Sequence, residues 1–248
     1  MEKEYETHNQ DLHNPHSRHK ENLFTKPVIG LMVGVILLLL INQLQINSVT
    51  GMITGSSAIT KSNGGGDLAE IDISSLKSTA QTVAAVFPID DIETTNDAIA
   101  IMFPTGTPDY GQELGVSYDD PIGSLSILSV MYRGLKSEVQ QKNPEAWSRF
   151  MNLASQPVGI SCEFCCGVGA VGINKQGDSA CGCQHNPALL SVALYLTTYT
   201  DYTDGEILRE VMKWKTLFFP KDMINIGMSI AGGDSSVLTE LPGMVGGC

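Results

Sequence analysis

Five of the six cysteines lie within a stretch of 22 residues, and a histidine follows the last of them by two positions. The stretch reads Cys-x2-Cys-Cys, then fourteen residues, then Cys-x-Cys-x-His. Short spacings let two thiolates reach one metal ion, and the Gly-rich connection lets the chain fold back on itself. The pattern therefore predicts a metal site. Its candidate ligands are Cys162, Cys165, Cys166, Cys181, Cys183 and His185.

The ligand types indicate a soft or borderline metal. Three or four thiolates with an optional imidazole suit a tetrahedral Zn²⁺ site, and fifteen residues separate Cys165 from Cys181, as in paired-knuckle zinc sites. Five thiolates exceed the need of one zinc ion, and sulfur also suits Cu(I) or an iron–sulfur cluster. We predict a zinc or copper ion, with an iron–sulfur cluster as the less favoured alternative.

Disulfides are the competing interpretation of the same cysteines, because an exported domain meets an oxidising environment. Two features favour a metal. The adjacent Cys165 and Cys166 can hardly pair with each other without strain, and disulfides alone would leave His185 without a role. A mixture of metal ligands and disulfides is also open.

The sixth cysteine, Cys248, ends the chain after a Gly-rich segment at 242–247. Such a tail could bring its thiolate, and even the terminal carboxylate, to the cluster, so Cys248 is a further candidate ligand. The alternative is an exposed thiol or a partner for an intermolecular disulfide.

An apolar run near the start of the chain predicts a membrane anchor. Fourteen apolar or Gly residues run from Val28 to Ile41, and the segment 28–46 approaches the roughly 20 residues needed to cross a bilayer. Twenty-seven residues precede the run and no small-residue cleavage site follows it, which favours an uncleaved span over a signal peptide. Contact with the lipid bilayer is therefore expected through residues 28–46.

Charged residues beside this segment predict its orientation. Arg18, Lys20 and Lys26 precede it, whereas Lys61 is the only basic residue in the comparable stretch after it. The positive-inside rule puts the N-terminus in the cytoplasm and the C-terminal part outside the cell membrane. We expect a disordered tail at 1–27, a Gly/Ser/Thr-rich linker at 47–66 and a folded domain at 67–248. The net charge of -12 argues against nucleic acid as a partner.

The folded part is predicted to be mainly α-helical, with the cysteines in a connecting loop. Helices are expected to start after Asp120-Pro121, Asn143-Pro144, Asn186-Pro187 and the Thr203/Glu206 capping box, and Pro220 should end the last of them. A helix is also expected within Leu76–Phe87 and a short strand at Ala98–Phe103.

The other motifs give little support to catalysis. Residues 167–172 match Gly-x-Gly-x-x-Gly, but they open no evident helix, and no Ser/His/Asp set stands out. We therefore predict a binding protein rather than an enzyme. An extracytoplasmic thiol–disulfide or iron–sulfur redox protein, and a disulfide-stabilised interaction module, are the alternatives.

Three runs carry a resemblance: Cys-Glu-Phe-Cys-Cys-Gly at 162–167, Ala-Cys-Gly-Cys-Gln-His-Asn at 180–186 and Trp-Lys-Thr-Leu-Phe-Phe-Pro at 214–220. Over about residues 100–248 the chain resembles uncharacterised archaeal membrane-anchored proteins with a Cys-rich C-terminal domain. In the cysteine region alone it is loosely similar to the PCYCGC-motif lipoproteins of bacteria. The resemblance implies no established activity, but it suggests metal binding by the matching cysteines and His185.

Overall fold

The computed structural model describes residues 67–232, and this part of the chain is built from helices. Single 3₁₀ turns occur at Leu68–Glu70, Ile73–Ser75 and Ile89–Asp91. The α-helices are α1 (Thr79–Val86), α2 (Thr95–Met102), α3 (Gly111–Leu114), α4 (Pro121–Lys142), α5 (Pro144–Ala154), α6 (Glu163–Cys166), α7 (His185–Tyr199), α8 (Asp204–Phe218) and α9 (Pro220–Ala231).

The prediction of a mainly α-helical domain is confirmed for the described residues, in which the only β-type pairing is an isolated bridge between Ile173 and Ser179. The predicted strand at Ala98–Phe103 is wrong, because this segment lies mostly within α2. A capping box of Thr94 and Asp97 starts that helix. Local capping thus outweighs the short apolar run, which does not by itself distinguish a strand from a buried helix.

The predicted start signals hold at three of four helices. Asp120 accepts a hydrogen bond from the Gly123 N–H at 3.0 Å, and Asn143 accepts one from the Ala146 N–H at 3.1 Å. Each is followed by proline at the first helical position, where the missing N–H costs nothing. The start of α7 differs from the prediction and is described with the site below.

Helix α7 is the centre of the packing. Ten of its fifteen residues are buried, because it packs against α4, α5 and α8. The Ser191 hydroxyl, buried on α7, donates to the Leu128 carbonyl of α4 at 2.8 Å, which satisfies a polar group inside the core. The packing of this buried helix consequently holds its N-terminus in a fixed position.

A further helix, α9, follows directly after α8 and was not predicted from the sequence. Helix α8 ends at Phe218, as expected for a segment followed by proline, but Pro220 also begins α9. Proline is compatible with both roles, since it ends the preceding helix and suits the first turn of the next. Helix α9 packs against α1, α2 and α8.

The long connection between α5 and α7 holds the cysteines and is anchored at several points. The Tyr132 hydroxyl donates to the Gly177 carbonyl at 2.6 Å, and Lys136 forms an ion pair with Asp178. Gly177 has a positive φ of 72° and lies against the Trp147 ring, so a side chain would be strained and would clash there. These contacts hold a loop of irregular backbone in one conformation.

Within residues 67–232, no helix has both the length and the apolar character needed to cross a bilayer. The predicted span at 28–46, the tail at 1–27, the linker at 47–66 and Cys248 all lie outside the described residues.

The capping box of α8 gives a stability prediction. The Thr203 hydroxyl accepts from the Glu206 N–H at 3.3 Å, and Glu206 Oε2 accepts from the Thr203 N–H at 2.7 Å. Replacing Thr203 by Ala should lower the free energy of unfolding by about 1 kcal/mol, measured by urea denaturation, because an orphan helix donor loses its partner. Ser126→Ala on the exposed face of α4 is the matched control and should change it by less than about 0.5 kcal/mol.

Because of the same capping box, the difference in free energy of unfolding between the native protein and Thr203→Ala should depend on pH. Hydrogen bonds from the backbone and hydroxyl of Thr203 hold the pKa of Glu206 below its usual value of 4.5. A carboxylate with a depressed folded pKa stabilises the protein above its unfolded pKa, and this contribution disappears as the pH falls through the folded value. The stability gap between the native protein and Thr203→Ala should therefore narrow on acidification below about pH 4.5. A gap that widened would contradict the capping assignment.

Candidate metal centre

The two cysteine segments predicted to converge do meet, at the N-terminus of α7. Cys162 precedes the single helical turn α6, and Cys183 lies two residues before α7 begins at His185. Their Sγ atoms are 3.0 Å apart although twenty-one positions separate them in sequence. The connecting loop therefore folds back as its glycines suggested.

Two overlapping groups of side chains could hold a metal ion. One consists of Cys162, Cys181 and Cys183, and the other of Cys165, Cys183 and His185. Within each group the ligand atoms all lie within 4.8 Å of one another. Cys183 belongs to both groups, which makes its sulfur the centre of the cluster.

The cysteines are used in two ways. Cys181 is disulfide-bonded, whereas Cys162 and Cys183 are free thiols. The sulfur of Cys181 can bind a metal as a thiolate only after reduction of that bond. In the disulfide-bonded state the group of Cys165, Cys183 and His185 is thus the relevant one, with Cys162 beside it. The described part of the chain thus contains both a disulfide and free thiols that could hold a metal ion.

Cys183 ionises more easily than Cys162. Its pKa is lowered to about 4, chiefly by the hydrogen bond between its sulfur and that of Cys162, with help from His185 and the N–H groups at the start of α7. Burial opposes this shift. The pKa of Cys162 is raised well above its usual range, first by the hydrogen bond to Cys183, then by burial and by the charges of Cys183 and Cys165.

His185 is held by aromatic side chains at the junction of α8 and α9. Its ring centroid lies 4.8 Å from that of Phe219 and 5.6 Å from that of Phe218. The Nδ1 atom is buried and makes no hydrogen bond to any of the described residues. Buried polar atoms are rarely left without a partner, so the unpaired Nδ1 atom is available to a ligand.

Asn186 does not cap α7 as predicted. The helix starts two residues earlier, at His185, with Gln184 in the cap position and no side-chain cap bond. The fully buried Asn186 amide instead accepts from the Cys162 N–H at 3.3 Å and donates to the Gly172 carbonyl and the Ser179 hydroxyl, both at 2.7 Å. The Asn186 side chain thus makes tertiary hydrogen bonds instead of a local cap bond. Through these bonds it connects three parts of the cysteine loop, at Cys162, Gly172 and Ser179.

The hydroxyl of Ser179 extends this connection, since it donates to the Cys181 carbonyl at 2.6 Å. Gly172 is equally constrained, because a Cβ there would lie 1.7 Å from the Ile160 carbonyl oxygen. Cys166 ends α6, followed by Gly167 at a φ of 63°. The position of the Cys166 side chain is not described, and Cys248 lies outside the described residues, so both stay predictions as ligands.

A buried ion pair between Lys215 and Glu163 fixes the position of the first cysteine segment. The Lys215 ammonium, fully buried on α8, donates to Glu163 Oε1 at 2.7 Å, to the Gly159 carbonyl at 2.9 Å and to the Thr79 hydroxyl at 3.2 Å. The Thr79 hydroxyl also donates to Glu163 Oε1. Burial lowers the pKa of Lys215, and the Glu163 carboxylate opposes that shift. The pair ties α1 and α8 to the turn that carries Cys162 and Cys165.

Sequence reasoning missed Glu163, Lys215 and the role of Asn186. A signal existed for Lys215, which follows Ile207 by eight residues and Val211 by four, so it falls on the buried face of α8. A lysine on an apolar face requires a partner. Its partner could not be identified, because Glu163 lies fifty-two residues away in sequence.

No protein-family model matches the chain, and neither the curated proteins nor the solved structures contain a match.

Proposed function

We propose that the protein binds one zinc or copper ion through Cys183, Cys165 and His185, with Cys162 as an additional thiolate. The observation that carries this proposal is the placement of two sulfurs and an imidazole nitrogen within 4.8 Å of one another by distant segments of the chain. Thiolates and imidazole are the ligands that Zn²⁺ and Cu(I) prefer.

The dimensions support this assignment. Zn–S bonds of about 2.3 Å put the sulfurs of a tetrahedral site roughly 3.8 Å apart. The spacing between Cys162 and Cys183, 3.0 Å, would open by less than about 1 Å to admit an ion. Spacings of up to 4.8 Å in the other group would close by a similar amount. Torsion changes within one rotamer well move side-chain atoms by such distances.

The surroundings of the site favour a metal ion that is exchanged with other molecules over a structural metal ion that stabilises the fold. Cys165, Cys183 and His185 are each only partly buried, so solvent and a partner molecule can reach the ion. The domain also has an extensive apolar core of its own around α7 and α8. Small domains that depend on a structural zinc ion lack such a core.

In this proposal the protein is a single-pass membrane protein. Residues 28–46 anchor the chain, the N-terminus is cytoplasmic, and the metal site lies outside the cell. The apolar run and the basic residues before it support this arrangement. The protein would then belong with the archaeal Cys-rich membrane proteins that its cysteine motifs resemble.

Replacing Cys183 by Ser should have the largest effect on metal binding of any single cysteine substitution. Because both ligand groups include Cys183, we expect the affinity for Zn²⁺ to fall by more than about 100-fold, beyond what loss of an outer-shell partner causes. Competition of the full-length protein with a chromophoric chelator measures this affinity, and elemental analysis of the purified protein identifies the metal.

The matched control replaces the imidazoles outside the site. A variant with Gln at all four tail histidines should keep stoichiometric metal, which would exclude the tail as the binding site. These residues are His8, His13, His16 and His19. Unaltered metal content in Cys183→Ser, or no stoichiometric zinc or copper in the native protein, would disprove the proposal.

A further inference from the structure

We propose that Cys162 and Cys183 are a redox-active dithiol that exchanges with low-molecular-weight disulfides. The two sulfurs are 3.0 Å apart and both are free, while Cys181 is already in a disulfide. A disulfide requires a sulfur–sulfur distance of about 2.05 Å, so the pair needs to approach by only about 1 Å. This proposal does not depend on metal binding.

The two thiols differ in their access to solvent. Cys183 is partly exposed at the rim of the site, whereas Cys162 is fully buried. An external disulfide can therefore reach Cys183 but not Cys162. The arrangement assigns Cys183 as the attacking sulfur and Cys162 as the resolving sulfur, which acts from inside the protein.

The backbone around the pair is held in place before any reaction. The Cys162 N–H donates to the Asn186 side chain at 3.3 Å. Asn186 therefore ties Cys162 to the first turn of α7, which begins two residues after Cys183. Since α7 is largely buried, the backbone on both sides of the pair is attached to the core.

The reaction balances as an ordinary thiol–disulfide exchange. The Cys183 thiolate attacks one sulfur of an external disulfide R–S–S–R, which forms a mixed disulfide and releases one RS⁻. Cys162 then gives its proton to the released RS⁻ and attacks Cys183 Sγ, which forms the Cys162–Cys183 bond and expels the second RS⁻. Two electrons pass from the protein sulfurs to the external disulfide, and the second RS⁻ takes a proton from solvent, so the products are two thiols.

The test is treatment of the full-length, metal-free protein with oxidised glutathione, followed by alkylation and peptide mapping. Trypsin separates the segments, because cleavage after Arg149, Lys175 and Arg209 puts Cys162 in peptide 150–175 and Cys183 in peptide 176–209. We expect fragmentation of the linked peptides to locate a new Cys162–Cys183 bond. A new bond from Cys183 to Cys181 or to Cys165 instead would overturn the proposal.

The variants separate the two sulfur roles. Cys162→Ser should accumulate one glutathionyl group on Cys183, since the resolving thiol is missing, and Cys162→Ala should do the same. Ser126→Ala, on the exposed face of α4, is the control and should form the new bond as the native protein does. An unmodified Cys183 in both Cys162 variants, or glutathione trapped on Cys183 in Cys165→Ser, would contradict the assignment.

Repeating the exchange with Zn²⁺ present distinguishes this proposal from the proposed metal function. If the metal occupies Cys183, exchange should be at least 10-fold slower with saturating zinc. Equal rates with and without zinc would contradict metal binding at Cys183 but leave the dithiol assignment standing. Failure of the bond to form in the metal-free protein would contradict the dithiol assignment alone.

Discussion

Replacing Lys215 by Met should lower the free energy of unfolding by about 3–5 kcal/mol, the typical cost of removing one partner of a buried ion pair. The substitution keeps most of the apolar side-chain volume but leaves the Glu163 carboxylate buried without its cation. Glu163 Oε2 makes no hydrogen bond within the described part of the chain. The contacts of Oε1 with Lys215 and Thr79 therefore provide most of the compensation for burying the carboxylate charge. Urea denaturation followed by circular dichroism measures the loss.

A second substitution keeps this prediction testable if Lys215→Met alone fails to fold. The double variant Lys215→Met/Glu163→Gln removes the uncompensated charge and should recover at least half of the lost stability. Lys142→Met is the matched control, because its ion pair with Glu138 is exposed and should contribute less than about 1 kcal/mol. If Lys215→Met cost no more than Lys142→Met, the buried pair would have no stabilising role.

The ion pair also matters for the site, because Glu163 directly follows Cys162 and lies in the turn that carries Cys165. A carboxylate fixed by α1 and α8 prevents this turn from rotating away from α7. The geometry of the candidate metal site thus depends on a contact between Glu163 and Lys215 that includes no candidate ligand.

The helices with local signals were predictable from the sequence. Asp120, Asn143 and Thr203 cap the helices they were expected to start, because a cap bond joins residues only three positions apart. The segment Ala98–Phe103 misled the interpretation, since its apolar run fits a strand as well as a buried helix. Helix α9 was missed because Pro220 was interpreted only as an end signal.

The convergence of the candidate ligands was predictable for a different reason. Cysteine clustering is visible in the sequence, and Cys162, Cys183 and His185 do converge. The residues that hold them in place were not predictable, because Asn186 acts through contacts with residues up to 24 positions away and Lys215 through contacts up to 136 positions away. Short-range patterns carry no information on such pairings.

Replacing Asn186 by Ala should reduce both stability and metal affinity. The variant loses three hydrogen bonds at roughly 1 kcal/mol each and leaves the buried Cys162 N–H without its partner, so unfolding should become easier by about 3 kcal/mol or more. Because the amide holds Cys162 and Gly172 together, the affinity for Zn²⁺ should also fall by about 10–100-fold. Urea denaturation and chelator competition measure the two effects.

Asn143→Ala separates a positioning role of Asn186 from a general loss of stability. Asn143 makes one cap bond at the start of α5, far in sequence from the cysteines, so its removal should cost about 1 kcal/mol and leave the zinc affinity unchanged. If both variants weakened zinc binding in proportion to their stability, Asn186 would act only through the fold. A loss of affinity confined to Asn186→Ala, measured well below the unfolding transition, would show that its amide aligns the two cysteine segments for one ion.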